Sequence, residues 1–236
     1  MKEKPLWEIF PDIVKKVRQD HIDKNALIES SHNFLHALMV AQYAKIIAND
    51  ENTGIAAWVA GIIHNTDRLF SEQKVLERLK YYLETPDSSC LYFRLHDSDQ
   101  EDIIEAVLNH SNLNDPNDSP VTITLKDADR LANIGANMPV RSGQHYHNLP
   151  DYDPRYVKNS DPEATYRNPK TCLHDIKCAL EWKSMLRLPK AKKLAKPWFK
   201  QLQIFIKGFA KQLKDVDLYP YPFAEDYAVL LGKNNL

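Results

Sequence analysis

The chain has 236 residues, 43% of them hydrophobic and 27% charged, and its 31 basic and 32 acidic side chains leave a formal net charge of -1. That length suffices for one large domain or two small ones, and the composition argues against disorder. A charge so near zero supplies no global field toward nucleic acid or membranes.

No stretch approaches the roughly 20 apolar residues that span a bilayer. The amino terminus, MKEKPLWEIFPDIVKK, lacks the uninterrupted apolar core of a signal peptide. Cys90, Cys172 and Cys178 form no CxxC pair and cannot all be paired within one chain. A reduced, cytoplasmic setting is therefore the expectation.

Only six glycines occur, and apolar residues recur at helical spacing, which predicts an all-α fold. An N-terminal helix is expected within residues 1–20, a helical domain over 21–215, and a tail over 216–236 that packs on it. Ser30 or Ser31 is positioned to cap a helix running to about Asn49, with Phe34, Leu35, Leu38, Val40 and Ala41 on one buried stripe. The next helix starts near Thr53 and is apolar nearly all round, from Ala56 to Ile63, so it belongs at the centre of the domain. Further helices are expected near 71–84, 99–110 and 120–136.

The segment Val121–Leu125 is β-branched enough to read as a strand. Ser119 followed by Pro120 is a good N-cap and first-turn pair, and helix is the favoured reading. From Arg141 to Thr171 the periodicity breaks into a stretch rich in Pro, Tyr, Asp and Asn. Such a stretch is either a lid or binding loop, or an ordinary surface excursion. His145 and His147 lie in it, positioned to close over a ligand or simply exposed. Helices resume over about 172–187 and 190–214. The lysines of Lys190–Lys196 read as a solvated face, and Trp198, Phe199, Phe205 and Phe209 are spaced for core packing.

Chemistry concentrates in four segments that carry His32 with His36, His64, His110, and Asp127 with Asp129. A single helical histidine is more often a structural residue than a ligand. The set says more than its members. His64 ends an apolar run in which a polar group needs a partner, and Asp127 heads a helix that reads as buried. Imidazole with carboxylate is a common ligand set for transition metals. His32 and His36 are four residues apart and share a helix face.

In this pattern the chain resembles the HD superfamily of metal-dependent phosphohydrolases. That superfamily carries a first histidine, a His-Asp pair closing an apolar helix, and a later aspartate. Here His36, His64-Asn65 and Asp127 take those places in order. Lys126-Asp-Ala-Asp-Arg-Leu-Ala-Asn-Ile-Gly-Ala136, with Arg141 beyond it, looks like the DADRLDAxGA segment of the bacterial HD-domain nucleotide phosphohydrolases. His110-Ser111 and His174 also match that subgroup.

The resemblance implies a single helical bundle holding a divalent ion (Mn, Mg, Zn or Fe) through His36, His64, Asn65 and Asp127. It implies hydrolysis of a nucleotide or related small phosphate by a metal-activated water. Asp67 and Arg68 are candidate catalytic groups, or else a surface ion pair. His32, His110, Lys126, Arg130 and Arg141 are candidates for holding substrate, although Arg130 is also placed to neutralise Asp127. The expected partner is a small phosphate compound, with neither nucleic acid nor membrane as a main partner.

Three positions depart from the family. Asn65 replaces the paired aspartate, Asn33 stands where a second His-Asp is common, and Met39 replaces an arginine. Asparagine offers only a neutral carbonyl oxygen, so a bridged two-metal centre is disfavoured. The alternative function is a degenerate HD domain that binds a nucleotide or protein partner without turnover.

Overall fold

The computed structural model describes residues 4–27, 31–84, 95, 97–223 and 225–226. Their regular secondary structure is helical, with no strand among the described residues beyond an isolated bridge between Thr165 and Asn168. No helix among them is long and apolar enough to cross a membrane. The chain divides into two compact units, Met1–Ala132 with Met185–Leu194, and Asn133–Ser184 with Ala195–Leu236.

The first unit is built from α1 (Leu6–Ile9), α2 (Pro11–Asp23), α3 (Phe34–Ile47), α4 (Glu51–Ile63), α5 (Thr66–Leu69), α6 (Glu72–Leu83), α7 (Asp97–Asn109) and α8 (Pro120–Ala132). As its all-round apolar character predicts, α4 is central: every residue from Gly54 to Ile63 is buried, and α3, α7 and α8 pack around it. Asp50 caps α4 by accepting from the Thr53 amide at 2.9 Å.

Gly61 lets α3 and α4 approach closely, since a Cβ there would lie 2.7 Å from Ala41 Cα. The buried stripe of α3 is Ala37, Val40, Ala41, Ala44 and Ile47, while Leu35 is 61% exposed. The cap of α3 is Asn33, whose Oδ1 accepts from the His36 amide at 2.9 Å. Ser31 lies two residues too early for that role, and Ser30 falls outside the described residues. Helix α8 confirms the helical reading of Val121–Leu125, with Ser119 Oγ accepting from the Thr122 amide at 3.2 Å. The buried Asp20 carboxylate ties α2 to α6 through Arg78 and Tyr82.

The second unit holds α9 (Asn137–His145), α10 (Cys172–Cys178), α11 (Trp182–Met185, whose last residue belongs to the first unit) and most of α12 (Pro189–Asp215). The irregular stretch expected from Arg141 begins later, because α9 runs to His145. It is pinned in several places. Lys177 Nζ donates to the Tyr156 and Asn159 carbonyls, both at 2.5 Å. The Cys172 and Leu173 amides donate to the Pro150 and Asp151 carbonyls.

Val157, Leu173 and Ala210 form the core here, with Tyr152 and Phe209 packed against it. Phe199 is buried, whereas Phe205 is 40% exposed. Lys192, Lys193 and Lys196 are exposed, as a solvated face requires. Cys172 and Cys178 are free thiols, and Cys90 falls outside the described residues.

Asp175 is buried in this unit, and burial pushes its carboxyl up to about 6 against the lowering hydrogen bond from Ser142. A folded pKa above the unfolded one means that the native state binds the proton more tightly. Stability should therefore fall as pH rises from about 4 to about 6, by roughly 2–3 kcal/mol in all. Asp175→Asn is expected to recover roughly 2 kcal/mol above pH 6 and to flatten that slope. Urea unfolding across a pH series reads both, and an unchanged slope in the variant would refute the assignment.

Candidate metal centre

Four elements of the first unit bring one polar side chain each into the apolar core. The Asn33 cap fixes the start of α3 and places His36 in its first turn. His64 is the C-cap residue of α4, His110 directly follows α7, and Asp129 lies in the last turns of α8. His36 and His64 are each 2% exposed, His110 is 9% exposed, and the Asp129 side chain is partly open. Asp129 Oδ1 stands 3.2 Å from His36 Nε2 and 3.9 Å from His64 Nε2. The His64 ring centroid is 5.2 Å from that of His36 and 5.4 Å from that of His110.

The ring tautomers follow from the main chain. His64 Nδ1 donates to the Gly61 carbonyl at 2.7 Å, and His110 Nδ1 donates to the Val107 carbonyl at 2.6 Å. With its proton held on Nδ1, the neutral His64 ring presents a bare Nε2 lone pair toward Asp129. Burial above all holds the His64 pKa well below the ordinary histidine range. The charges of His36 and His110 add to that effect, while Asp129 and the Gly61 bond oppose it. For Asp129, burial acts upward, but the His36 hydrogen bond and the nearby imidazoles outweigh it and hold the carboxyl far below its usual range. The directions favour a neutral His64 ring and an ionised Asp129 carboxylate, the forms that bind metal.

These residues fit a divalent cation. One ligand atom each from His36, His64 and Asp129 lies within 4.8 Å of the others. Two nitrogens and one oxygen suit a borderline transition metal, and three protein donors leave an open position. Nearby in sequence, Asn65 Oδ1 and Asp67 Oδ1 are buried without a hydrogen-bond partner. Each keeps an acceptor lone pair for a cation or its water.

Several predicted site residues sit elsewhere. Asp127 does not join the histidines; it is fully buried, and its Oδ2 accepts from the Arg187 and Leu188 amides, both at 2.8 Å. It thereby holds the chain just before α12, while Arg130 Nη1 lies 3.4 Å from its other oxygen. The carboxylate beside the histidines is Asp129.

Lys126 and Arg130 are not free to hold substrate. Lys126 Nζ donates to Asp118 and to the Leu113 carbonyl, all at 2.9 Å, with its side chain 1% exposed. Arg130 donates to Asn114 Oδ1 at 2.9 Å and to the Met185 carbonyl at 3.3 Å. Asp67 and Arg68 form a partly exposed ion pair at 3.6 Å. Asn65 donates through Nδ2 to the His32 and Asn33 carbonyls. The His32 ring is half-buried, 6.1 Å from that of His36, and Arg141 is half-buried in the second unit.

The sequence profile of the HD domain matches residues 33–134. No protein of curated function matches the chain. Solved structures of similar fold include a Lactobacillus plantarum protein, at 20% identity and a TM-score of 0.64, covering 88% of this chain and 98% of its own. An HD-superfamily hydrolase from Bacillus thuringiensis is 18% identical with a TM-score of 0.59, covering 88% and 97%. YpgQ from Bacillus subtilis, solved in complex with ADP, is 16% identical with a TM-score of 0.54, covering 84% and 97%. At these identities the likeness speaks for the fold alone. His36, His64, His110 and Asp129 all fall inside the segment, residues 33–134, that is similar to the HD domain.

Proposed function

We propose that the protein is a metal-dependent phosphohydrolase acting on a nucleotide or a related small phosphate, with His36, His64 and Asp129 holding the cation. The observation that carries this reading is the convergence of those three donors within 4.8 Å. The fixed His64 tautomer and the ionised Asp129 carboxylate agree with it. A divalent cation bound there would supply Lewis acidity to a phosphoryl oxygen and acidify a water. The likeness to YpgQ, which was solved with ADP, supports a nucleotide as the ligand class.

The chain's own contribution is placement. Gly61 and Val107 hold protons on the Nδ1 atoms of His64 and His110, so both rings turn their Nε2 edges away from the main chain. His110, 5.4 Å from the His64 ring, is the side chain best placed to touch an anion bound between them. Asp67 stays paired with Arg68 and orients that guanidinium rather than standing alone as a base.

The test is phosphate release from a nucleotide panel with Mn²⁺, Mg²⁺ or Zn²⁺. Wild type should turn over and His64→Ala should be silent. His110→Ala is expected to lower kcat/KM by roughly tenfold to a hundredfold with metal affinity within about threefold of wild type. Metal loss in His110→Ala would make His110 a ligand instead. The alternative reading, a binding domain without turnover, draws on the replaced carboxylate at Asn65. Metal binding without hydrolysis across the whole panel would favour it.

A further inference from the structure

We infer that Asn65 is a positioning residue matched to the main chain around it, and that the centre is built to work with Asp129 as the carboxylate beside its two imidazoles. Asn65 is 1% exposed, and its Nδ2 lies 3.0 Å from the His32 carbonyl and 3.4 Å from the Asn33 carbonyl. Both partners are acceptors and can be satisfied only by a donor. The amide orientation is therefore fixed, with Nδ2 toward the two carbonyls and Oδ1 away from them. An ionised aspartate at this position would set a buried negative charge against two carbonyl oxygens.

The tie has a consequence for the metal donors. Residues 32 and 33 lead directly into α3, and Asn33 caps that helix by accepting from the amide of His36 itself. The chain of contacts runs from Asn65, adjacent to His64, through the Asn33 main chain and side chain to His36. Asn65 thus couples the end of α4, which carries one imidazole, to the start of α3, which carries the other. Its Oδ1, buried without a partner, remains a neutral oxygen able to face a cation or its water. A site of two imidazoles and one carboxylate carries less negative charge than a dicarboxylate site. Such a set favours Co²⁺ or Zn²⁺ over hard Mg²⁺.

The metal part of this inference rests on the proposed cation site; the stability part does not. The experiment compares the full chain with Asn65→Asp and Asn65→Ala in two arms. In chelator at pH 7.5, Asn65→Asp is expected to melt roughly 5–10 °C below wild type, and below Asn65→Ala. An Asn65→Asp protein as stable as wild type would overturn the inference, because the position would then accept a carboxylate.

In the second arm, Co²⁺ and Mg²⁺ titrations are run at a temperature where every variant is folded. Asn65→Ala is expected to bind Co²⁺ about tenfold more weakly, as His36 loses its tie to His64. Asn65→Asp is expected to gain no Mg²⁺ affinity. Co²⁺ affinity unchanged in Asn65→Ala would reduce the residue to a purely structural role and overturn the inference. So would a tenfold tighter Mg²⁺ in Asn65→Asp. Should Asn65→Asp fail to fold, the Ala variant still decides. Wild type that binds no Co²⁺ would refute the cation site itself, and the chelator arm would still judge Asn65.

Discussion

Asp129→Ala is expected to abolish metal binding while leaving the fold nearly untouched, and Asp127→Ala is expected to do the reverse. Asp129 is partly open to solvent and is the carboxylate shared by His36 and His64. Its removal deletes the only charged donor of the set, so metal affinity should fall at least about a hundredfold, beyond the loss typical of outer-sphere changes.

Asp127 is fully buried and satisfies two main-chain amides, with Arg130 beside it. Truncating it leaves the buried Arg130 guanidinium short of its counter-charge and two amides without acceptors. Losses of this kind cost about 3–5 kcal/mol, or roughly 10 °C in Tm for a chain of this size. Co²⁺ titration beside thermal unfolding separates the two residues. Metal loss in the Asp127 variant with metal retained in the Asp129 variant would reverse the assignment.

Gly61→Ala is expected to be the most disruptive single-methyl change in the first unit. Alanine gains about 1 kcal/mol over glycine in helix propensity. The new Cβ, however, would lie 2.7 Å from Ala41 Cα and 2.8 Å from Ala41 N, both of them backbone atoms that cannot swing aside. Relieving the overlap means separating α3 from α4, at a cost of up to about 3 kcal/mol, and overpacking should win by roughly 2 kcal/mol.

The same shift would separate His36 from His64, because one imidazole rides on each helix and Gly61 supplies the carbonyl that holds His64 Nδ1. Metal affinity should therefore fall with stability. Gly208→Ala is the control: among the described residues, nothing beyond the adjoining helix backbone lies within 4 Å of its Cβ position. It should stabilise by about 0.5–1 kcal/mol. If Gly61→Ala stabilised to the same degree, the close approach of α3 and α4 would be refuted.

The helices were largely legible because their signals are local. The all-round apolar run of α4 announced its central place, and Ser119-Pro120 outweighed the β-branched Val121–Leu125. His64 stood out because a polar ring at the end of an apolar helix needs a partner, and His36 and His110 because they join it in a set of possible ligands. The identity of the cap on α3 was less legible, since Ser30, Ser31 and Asn33 all suit an N-cap and only the observed hydrogen bond separates them.

The carboxylate could not be chosen from the sequence. Asp127 and Asp129 are both acidic and sit two residues apart on α8, a turn of about 200° around the helix axis. They must face different ways, but nothing local says which faces the histidines. That choice depends on Arg187 and Leu188, sixty residues downstream, whose amides claim Asp127. Lys126 and Arg130 looked available for a phosphate for the same reason, because Asp118, Asn114 and the Met185 carbonyl occupy them only once the chain has folded.

The all-helical fold, the HD resemblance and the candidate histidines were readable from the chain, because periodicity and short spacings are properties of neighbouring residues. The folded arrangement placed Asp129 rather than Asp127 beside His36 and His64, tied Asn65 to the start of α3, and paired Lys126 and Arg130. Those outcomes rest on hydrogen bonds between residues far apart in the chain, and a buried donor or acceptor takes whichever partner the packing brings within reach.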